Sequence, residues 1–335
     1  MFKCCLKLKR GGIKENNKFS NTIFPKNQHY RVNKSLLASK YKINPINEIP
    51  FNTKNICEQL GEGGSSIVYK YVYNNRIYAC KKISRNKKTV EKEIMIMSLY
   101  NDNKYIVKYF NCHLNDNSEA SMANKTPIKP HYIFMEYCRG KELFERLTPN
   151  MDYKLVNSII YQLLLALKHL QKYNIVHTDL KLENIIINNR NEIKLIDFGL
   201  SNVITSGSSI RIKNYIGTIG YVSPEVMIDN YITRTTDVWS VGIITYMLLN
   251  NRHLFDVVNR QTYKIQLRNL QDTLIRKGLR IYNNSVPVGK YNSILSFFTK
   301  TICYSIDRLS VNKCLKIPML NHDLSNLSIS HEFNK

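Results

Sequence analysis

Apolar residues recur at positions 155, 156, 159, 160, 163, 164, 167 and 170, the wide stripe of a helix set into a core, which predicts a helix over Tyr153–Tyr173. A shorter stripe at Val90, Ile94 and Met97, with Ile96 close by, predicts a helix over Thr89–Leu99 and puts Glu93 beside its apolar face. Strand signals cluster elsewhere. Cys57–Lys70 holds glycines at 61, 63 and 64 between apolar ends, and YVYNNRIYACKKI follows, so the reading is strand, glycine turn, strand, Asn74-Asn75 turn, strand. Tyr105–Phe110 and Tyr132–Glu136 read as further strands. Two β-branched runs, Ile185–Ile187 and Ile193–Ile196, flank the turn-forming Asn188-Asn189-Arg190-Asn191 and predict a hairpin. Val238–Leu249 is apolar almost throughout, which marks a buried helix, and its twelve residues are too few to cross a bilayer.

Strands therefore dominate before about residue 136 and helices dominate after about 141, with Tyr137-Cys138-Arg139-Gly140 as the joint between them. The implied class is α+β, with a small β-rich lobe and a larger helical one. Residues 1–54 are polar, rich in Asn and Lys and without periodicity, and are expected to form a disordered extension. A polar stretch at about 115–130 reads as a surface loop, a short helix is expected after Ser310, and a polar tail follows from about His322.

Charge adds a complication. The 335 residues contain 49 Lys and Arg against 25 Asp and Glu, a net +24 that raises nucleic acid or an anionic membrane as a partner. Residues 1–54 hold twelve basic and two acidic residues, net +10, and the remaining +14 is spread without an arginine-rich run. A compositional bias towards Asn, Lys, Ile and Tyr accounts for this better, so nucleic acid is not the expected partner. The eight cysteines include no CxxC pair, which argues against a zinc site or disulfide scaffold and suits a reducing, cytoplasmic setting. Adjacent Cys4 and Cys5 among basic residues could carry a lipid and touch an anionic leaflet, with a solvated basic tail as the alternative. Phe2 excludes myristoylation, which needs glycine at that position.

The chemistry concentrates in His177–Gly199, HTDLKLENIIINNRNEIKLIDFG. A hairpin brings its outer ends together, so Asp179, Lys181 and Asn184 on one side should share a site with Asp197 on the other. Oxygen ligands hold Mg²⁺ and a lysine offsets phosphate charge, so this set suits metal-assisted phosphate chemistry. Lys81 interrupts an apolar strand, where an ammonium is costly without an anionic partner, and Glu93 is the candidate. The glycine turn near 61–64 would let backbone amides approach phosphate oxygens.

Taken in order, LGEGGSSIV, YACK, Glu93, HTDLKLEN, DFG, GTIGYVSPE, DVWSVG and IDRLS resemble the eukaryotic protein kinase family over roughly Asn55 to Asn321. The resemblance implies a two-lobed fold and ATP- and Mg²⁺-dependent phosphoryl transfer to Ser or Thr of proteins. It gives Gly61, Glu62, Gly63 and Ser66 the phosphate loop, with Ser66 where a third glycine is usual. Val68, Ala79 and Ile186 would enclose the adenine, Met135 would guard the back of the pocket, and the backbone of Glu136 to Cys138 would bond the adenine edge. Lys81 would hold phosphates and pair with Glu93. Asp179 would take or orient the hydroxyl proton, Lys181 would steady the phosphoryl group, and Asn184 and Asp197 would bind Mg²⁺.

Lys181 and Thr218 match the serine/threonine branch, and the general flavour is that of calcium/calmodulin-dependent and calcium-dependent kinases. No helix–loop–helix calcium motif follows, so direct calcium binding is not expected. Glu142 and Glu183 stand where basophilic members face substrate arginines, while Met247 replaces a third acid used by some relatives. Glu225 and Arg308 match a buried ion pair, and Asp237 an acid that fixes the catalytic loop.

Two departures concern regulation. Thr178 stands where most of the family has arginine, and Asn214 occupies the usual activating phosphosite, so activity without activation-loop phosphorylation is expected. Ser206, Ser208 and Ser209 remain as phosphorylatable residues in that loop. The basic stretch 250–290, with His253-Leu254-Phe255 in place of Pro-Phe, should depart from the usual helices. A catalytically silent scaffold is one rival reading, disfavoured by intact Lys81, Asp179, Asn184 and Asp197; a charge-driven nucleic-acid or membrane binder is the other, and salt-sensitive binding with residues 1–54 deleted would separate a tail effect from a domain effect.

Overall fold

The computed structural model describes residues 49–64, 66–100, 103–115, 129–205 and 207–320. Three strands, β1 (Ile56–Gly63), β2 (Ser66–Tyr73) and β3 (Arg76–Ile83), form an antiparallel meander. Asn74 and Asn75 both take positive φ at the second bend, the requirement of a tight hairpin turn. Helix α1 (Lys87–Leu99) follows, its start capped by the Asn86 side chain accepting from the Thr89 amide. The sheet is completed by β4 (Tyr109–His113) and β5 (His131–Glu136), in the order β1-β2-β3-β5-β4.

Two sequence boundaries shift. The strand expected over Tyr105–Phe110 begins at Tyr109, because Ile106 makes only a parallel bridge with Leu195 across the chain. The packed body also begins upstream of Asn55. Ile49 is buried with Tyr71, Tyr78, Cys80, Tyr132 and Phe134, Phe51 stacks on Tyr132 at 3.8 Å between centroids, and the Tyr71 hydroxyl accepts from the Asn52 amide. These aromatic partners lie far away in sequence, and composition around residue 50 gives no sign of them.

Past the joint, β6 (Lys141–Glu142) leads to α2 (Tyr153–Lys172), whose apolar stripe is buried from Val156 to Leu170, with Leu155 half-buried at its start. Next come β7 (Ile175–Val176), β8 (Ile185–Ile187), β9 (Ile193–Leu195), β10 (Asn202–Val203) and β11 (Ser209–Arg211). After these follow α3 (Pro224–Met227), β12 (Tyr231–Thr233), α4 (Thr236–Asn250), α5 (Arg260–Arg268), α6 (Leu270–Lys277), α7 (Tyr291–Thr301) and α8 (Val311–Cys314). The class is α+β with a sheet lobe and a helical lobe, as the sequence implied. Helix α4 is buried from Thr236 to Leu249 and serves as the central post of the larger lobe.

The predicted hairpin forms as β8 and β9, with Ile185 opposite Leu195 and Ile187 opposite Ile193. Its turn is built by Asn188, whose side-chain oxygen accepts from the Arg190 and Glu192 amides, and by Asn191 at positive φ. Helix α2 braces it from behind, with Gln162 donating to the Asn191 carbonyl and accepting from the Ile193 amide. In the joint, Gly140 has φ +147° and passes so close to the Ile187 carbonyl that a Cβ would collide with it. Among the described residues no helix is long and apolar enough to cross a membrane. Cys4, Cys5, Ser206 and the tail from His322 lie outside the described residues.

Candidate active site

A cleft of about 380 Å³ lies between the two lobes. Gly61, Glu62, Gly63 and Ser66 line its roof, where β1 bends into β2, with Val68 and Ala79 beside them. Met135, Glu136 and Cys138 form its back edge, and Glu142, Asn184 and Ile186 its floor. Lys81, Glu93, Lys181 and Asp197 also reach it. Sequence reasoning passed over Leu60, Val107 and Ile196, which line the cleft as well. Leu60 and Ile196 directly precede the glycine turn and Asp197, and that adjacency was the available signal.

The edge needs one refinement. The Glu136 amide already donates to the Lys108 carbonyl at 2.8 Å and the Glu136 carbonyl accepts from Cys138 Sγ at 3.7 Å, whereas the backbone amide and carbonyl of Cys138 have no partner among the described residues. The Glu136 carboxylate faces away to Lys194 at 2.8 Å, tying the joint to β9.

At the inner end, Lys81 Nζ sits 2.7 Å from Glu93 Oε1 and 2.8 Å from Asp197 Oδ1. Lys81 is 7% and Glu93 5% exposed, so Glu93 belongs to the buried face of α1 rather than beside it. Burial alone would push the Lys81 ammonium down, but the two carboxylates hold it above the ordinary lysine value and therefore charged. Asp197 is likewise opposed by burial, yet Lys81 and the Gly199 amide bring its carboxyl down to about 2. It is ionised at any neutral pH.

A second cluster adjoins the first. Asp179 Oδ1 accepts from the Thr218 hydroxyl at 2.7 Å, and Lys181 Nζ donates to the same hydroxyl oxygen at 3.2 Å. Lys181 Nζ also lies 3.7 Å from Asp179 Oδ2. Asn184 Nδ2 donates to the Asp179 carbonyl at 2.8 Å and to its carboxylate at 3.3 Å. The amide nitrogen of Asn184 is thus committed, which fixes its oxygen as the ligand-facing atom.

No described residue donates to Asn184 Oδ1 or Asp197 Oδ2. Two hard oxygens without protein donors fit Mg²⁺, and phosphate and water would complete its shell. Among the described residues no group of three or more His, Cys, Asp or Glu could cage a metal alone.

The loop backbone carrying these groups is strained and held. Thr178 has φ +65° and Asp197 +61°, a region that costs about 1–2 kcal/mol for a side-chain-bearing residue. Asp237, fully enclosed, accepts from the His177 amide at 2.8 Å and the Thr178 amide at 2.9 Å. The His177 ring bonds the Ile196 carbonyl at 3.1 Å and packs edge-on against Phe198. Gly217, at φ +100°, lets the segment bearing Thr218 pass the Thr178 carbonyl, which a Cβ would approach to 2.7 Å.

Below the site, Arg308 forks onto Glu225 at 2.7 and 2.9 Å, fully buried. The 250–290 stretch folds into α5 and α6. From it, Tyr263 donates to the Val222 carbonyl at 2.6 Å, and Phe255 stacks on Trp239. Those aromatic anchors attach the stretch to the core.

Residues 55–320 match the family described as Protein kinase domain. The serine/threonine-protein kinase KIC1 of Saccharomyces cerevisiae is 32% identical over 198 residues, 56% of this chain and 17% of that protein. Death-associated protein kinase dapk-1 of Caenorhabditis elegans is 28% identical over 77% of this chain and 17% of that protein. An Aurora kinase of Eremothecium gossypii is 30% identical over 74% of this chain and 67% of that protein. The chain therefore spans under a fifth of the first two relatives and two thirds of the third. Given that match and the geometry of the cleft, this chain belongs to the protein kinase family.

Proposed function

We propose that this protein transfers the γ-phosphate of ATP to serine or threonine hydroxyls of proteins. The observation that carries this reading is the double contact of Lys81 with Glu93 and Asp197, beside an Asp179 already accepting from a hydroxyl. Asp179 would accept or orient a substrate hydroxyl proton, a role supported by its Oδ1 accepting from the Thr218 hydroxyl. Lys181, 3.7 Å from Asp179, would offset the charge that builds on the transferring group. Lys81 would take the nucleotide's phosphates, with Glu93 keeping its ammonium aimed. Asn184 and Asp197 would hold Mg²⁺, which when bound neutralises phosphate charge.

An arginine-directed substrate preference is part of the proposal. Glu183 has a buried carboxylate oxygen without a hydrogen-bond partner, an expensive arrangement that a guanidinium would relieve. Glu142 sits nearby, its carboxyl raised by burial and then by neighbouring Glu145 and Glu183, so the patch gains from an incoming cation. Independence from activation-loop phosphorylation also belongs here, on the grounds of Thr178 and the exposed Asn214. Kinship with the calcium/calmodulin-dependent group, without calcium binding by this chain itself, and a cytoplasmic site of action complete the reading. Membrane contact through Cys4 and Cys5 remains an addition to it.

A Ser/Thr peptide library scanned with arginine at each position before the acceptor tests the specificity. Enrichment of arginine, lost in Glu142→Gln/Glu183→Gln, is expected; a logo indifferent to arginine would remove the basophilic part.

A further inference from the structure

The segment after Gly199 is held by hydrogen bonds that converge on one carbonyl. Leu200 O accepts from the Thr178 hydroxyl at 2.6 Å and from Asn202 Nδ2 at 2.8 Å. Asn202 Oδ1 in turn accepts from Lys92 Nζ at 2.7 Å. Lys92 belongs to α1 and precedes Glu93, the partner of Lys81. Thr178 belongs to the catalytic loop and precedes Asp179. The contacts thus join α1, the segment after Gly199 and the catalytic loop in one chain.

Each link is specific to its residue type. Threonine at φ +65° is strained, since a β-branched side chain is rare in that region, so shape does not recommend it there. Its hydroxyl does, because it reaches Leu200 O. Asn202 offers an amide that can accept from an ammonium and donate to a carbonyl at once, which neither aspartate nor leucine can do. Around them, Asn202 and Val203 pair with Val176 and Ile175, and the Ile204 amide donates to Asn174 O at 2.9 Å.

We propose that Lys92, Asn202 and Thr178 are positioning residues forming a hydrogen-bond relay that seats residues 199–204 between α1 and the catalytic loop without any phosphate. This rests on the kinase reading for its consequence and on geometry alone for its existence. The relay aligns Glu93 with Lys81 through Lys92, and Asp179 through Thr178. A neutral threonine and an asparagine thereby do the bridging that a charged modification would otherwise supply.

The test uses the full chain and three variants, Thr178→Val, Thr178→Ser and Asn202→Ala. Valine keeps the β-branch and removes only the hydroxyl, serine keeps the hydroxyl, and Asn202 is half-buried, so its truncation spares the core. Amide hydrogen exchange over 199–204 should quicken about fivefold in Thr178→Val and Asn202→Ala, as loss of one net hydrogen bond predicts, and stay at the parent rate in Thr178→Ser. In phosphotransfer, kcat should fall about five- to tenfold in the same two variants, with the KM for ATP within twofold. Phosphatase-treated parent protein should keep its rate. Unchanged exchange in Thr178→Val, or equal loss in Thr178→Ser, overturns the relay. A parent chain without transfer activity but with the expected exchange pattern would leave the relay standing and remove the kinase reading instead.

Discussion

Lys81 Nζ lies 2.8 Å from Asp197 Oδ1, a contact between positions 116 residues apart in the chain. It forms only when the sheet lobe and the hairpin close on each other, and Glu93 completes it from α1. Asp197 keeps 43% of its side chain exposed towards the cleft, so one face of its carboxylate is free for a ligand while the other is held.

Lys81→Met should abolish phosphotransfer and also destabilise the fold. It strands Glu93, 5% exposed, without its cation, and breaking one side of a buried pair typically costs about 3–5 kcal/mol. Adding Glu93→Gln should recover much of that stability and none of the activity. Urea unfolding beside a transfer assay separates the two effects.

Thr218→Val removes the hydroxyl that donates to Asp179 and accepts from Lys181 while keeping its volume. Hydrogen bonds to charged groups are worth about 1.5–3 kcal/mol, so kcat should drop roughly ten- to hundredfold. The KM for ATP should hardly move, because Thr218 is not among the residues lining the cleft. Steady-state kinetics at saturating peptide checks the split.

Stability should depend on pH through Glu225. Burial alone would raise its carboxyl, but the Arg308 guanidinium more than offsets this and leaves it below its ordinary value of 4.5. A depressed folded value means the contribution is fully present above the unfolded value and is lost as pH falls through the folded one. The stability gap between the parent chain and Glu225→Gln should therefore be constant near neutrality and shrink as pH falls below 4.5. Urea midpoints measured from pH 7 to pH 3 give the comparison.

Gly242→Ala should destabilise by about 1–3 kcal/mol, the usual range for overpacking a filled core. A Cβ there would stand 2.6 Å from Thr301 Oγ1 and 2.8 Å from Ile302 Cγ1, where α4 meets α7. Thermal unfolding reads the loss, and unchanged nucleotide affinity would place it in packing alone.

What the sequence revealed, and what it hid, follows from the range of the interactions. The β8–β9 hairpin was legible because β-branched runs and an Asn-rich turn are local signals, and its closure at once gathered Asp179, Lys181, Asn184 and Asp197. Helix α2 was legible from its period. Ile49 and Phe51 were not, since their polar surroundings conceal partners on β2, β3 and β5. Gly242 reads as a poor helix residue until Thr301 is seen against it. Thr178 read as the loss of an arginine, and only the Leu200 carbonyl 2.6 Å away gives its hydroxyl a purpose.

The most direct measurement is transfer of labelled γ-phosphate from Mg-ATP to a mixed library of Ser, Thr and Tyr peptides, with Asp179→Asn as control. Label on Ser and Thr peptides, falling at least a hundredfold in Asp179→Asn while the variant keeps its unfolding midpoint, is the predicted result. No transfer to any peptide or to the protein itself, or transfer equal in Asp179→Asn, would contradict it.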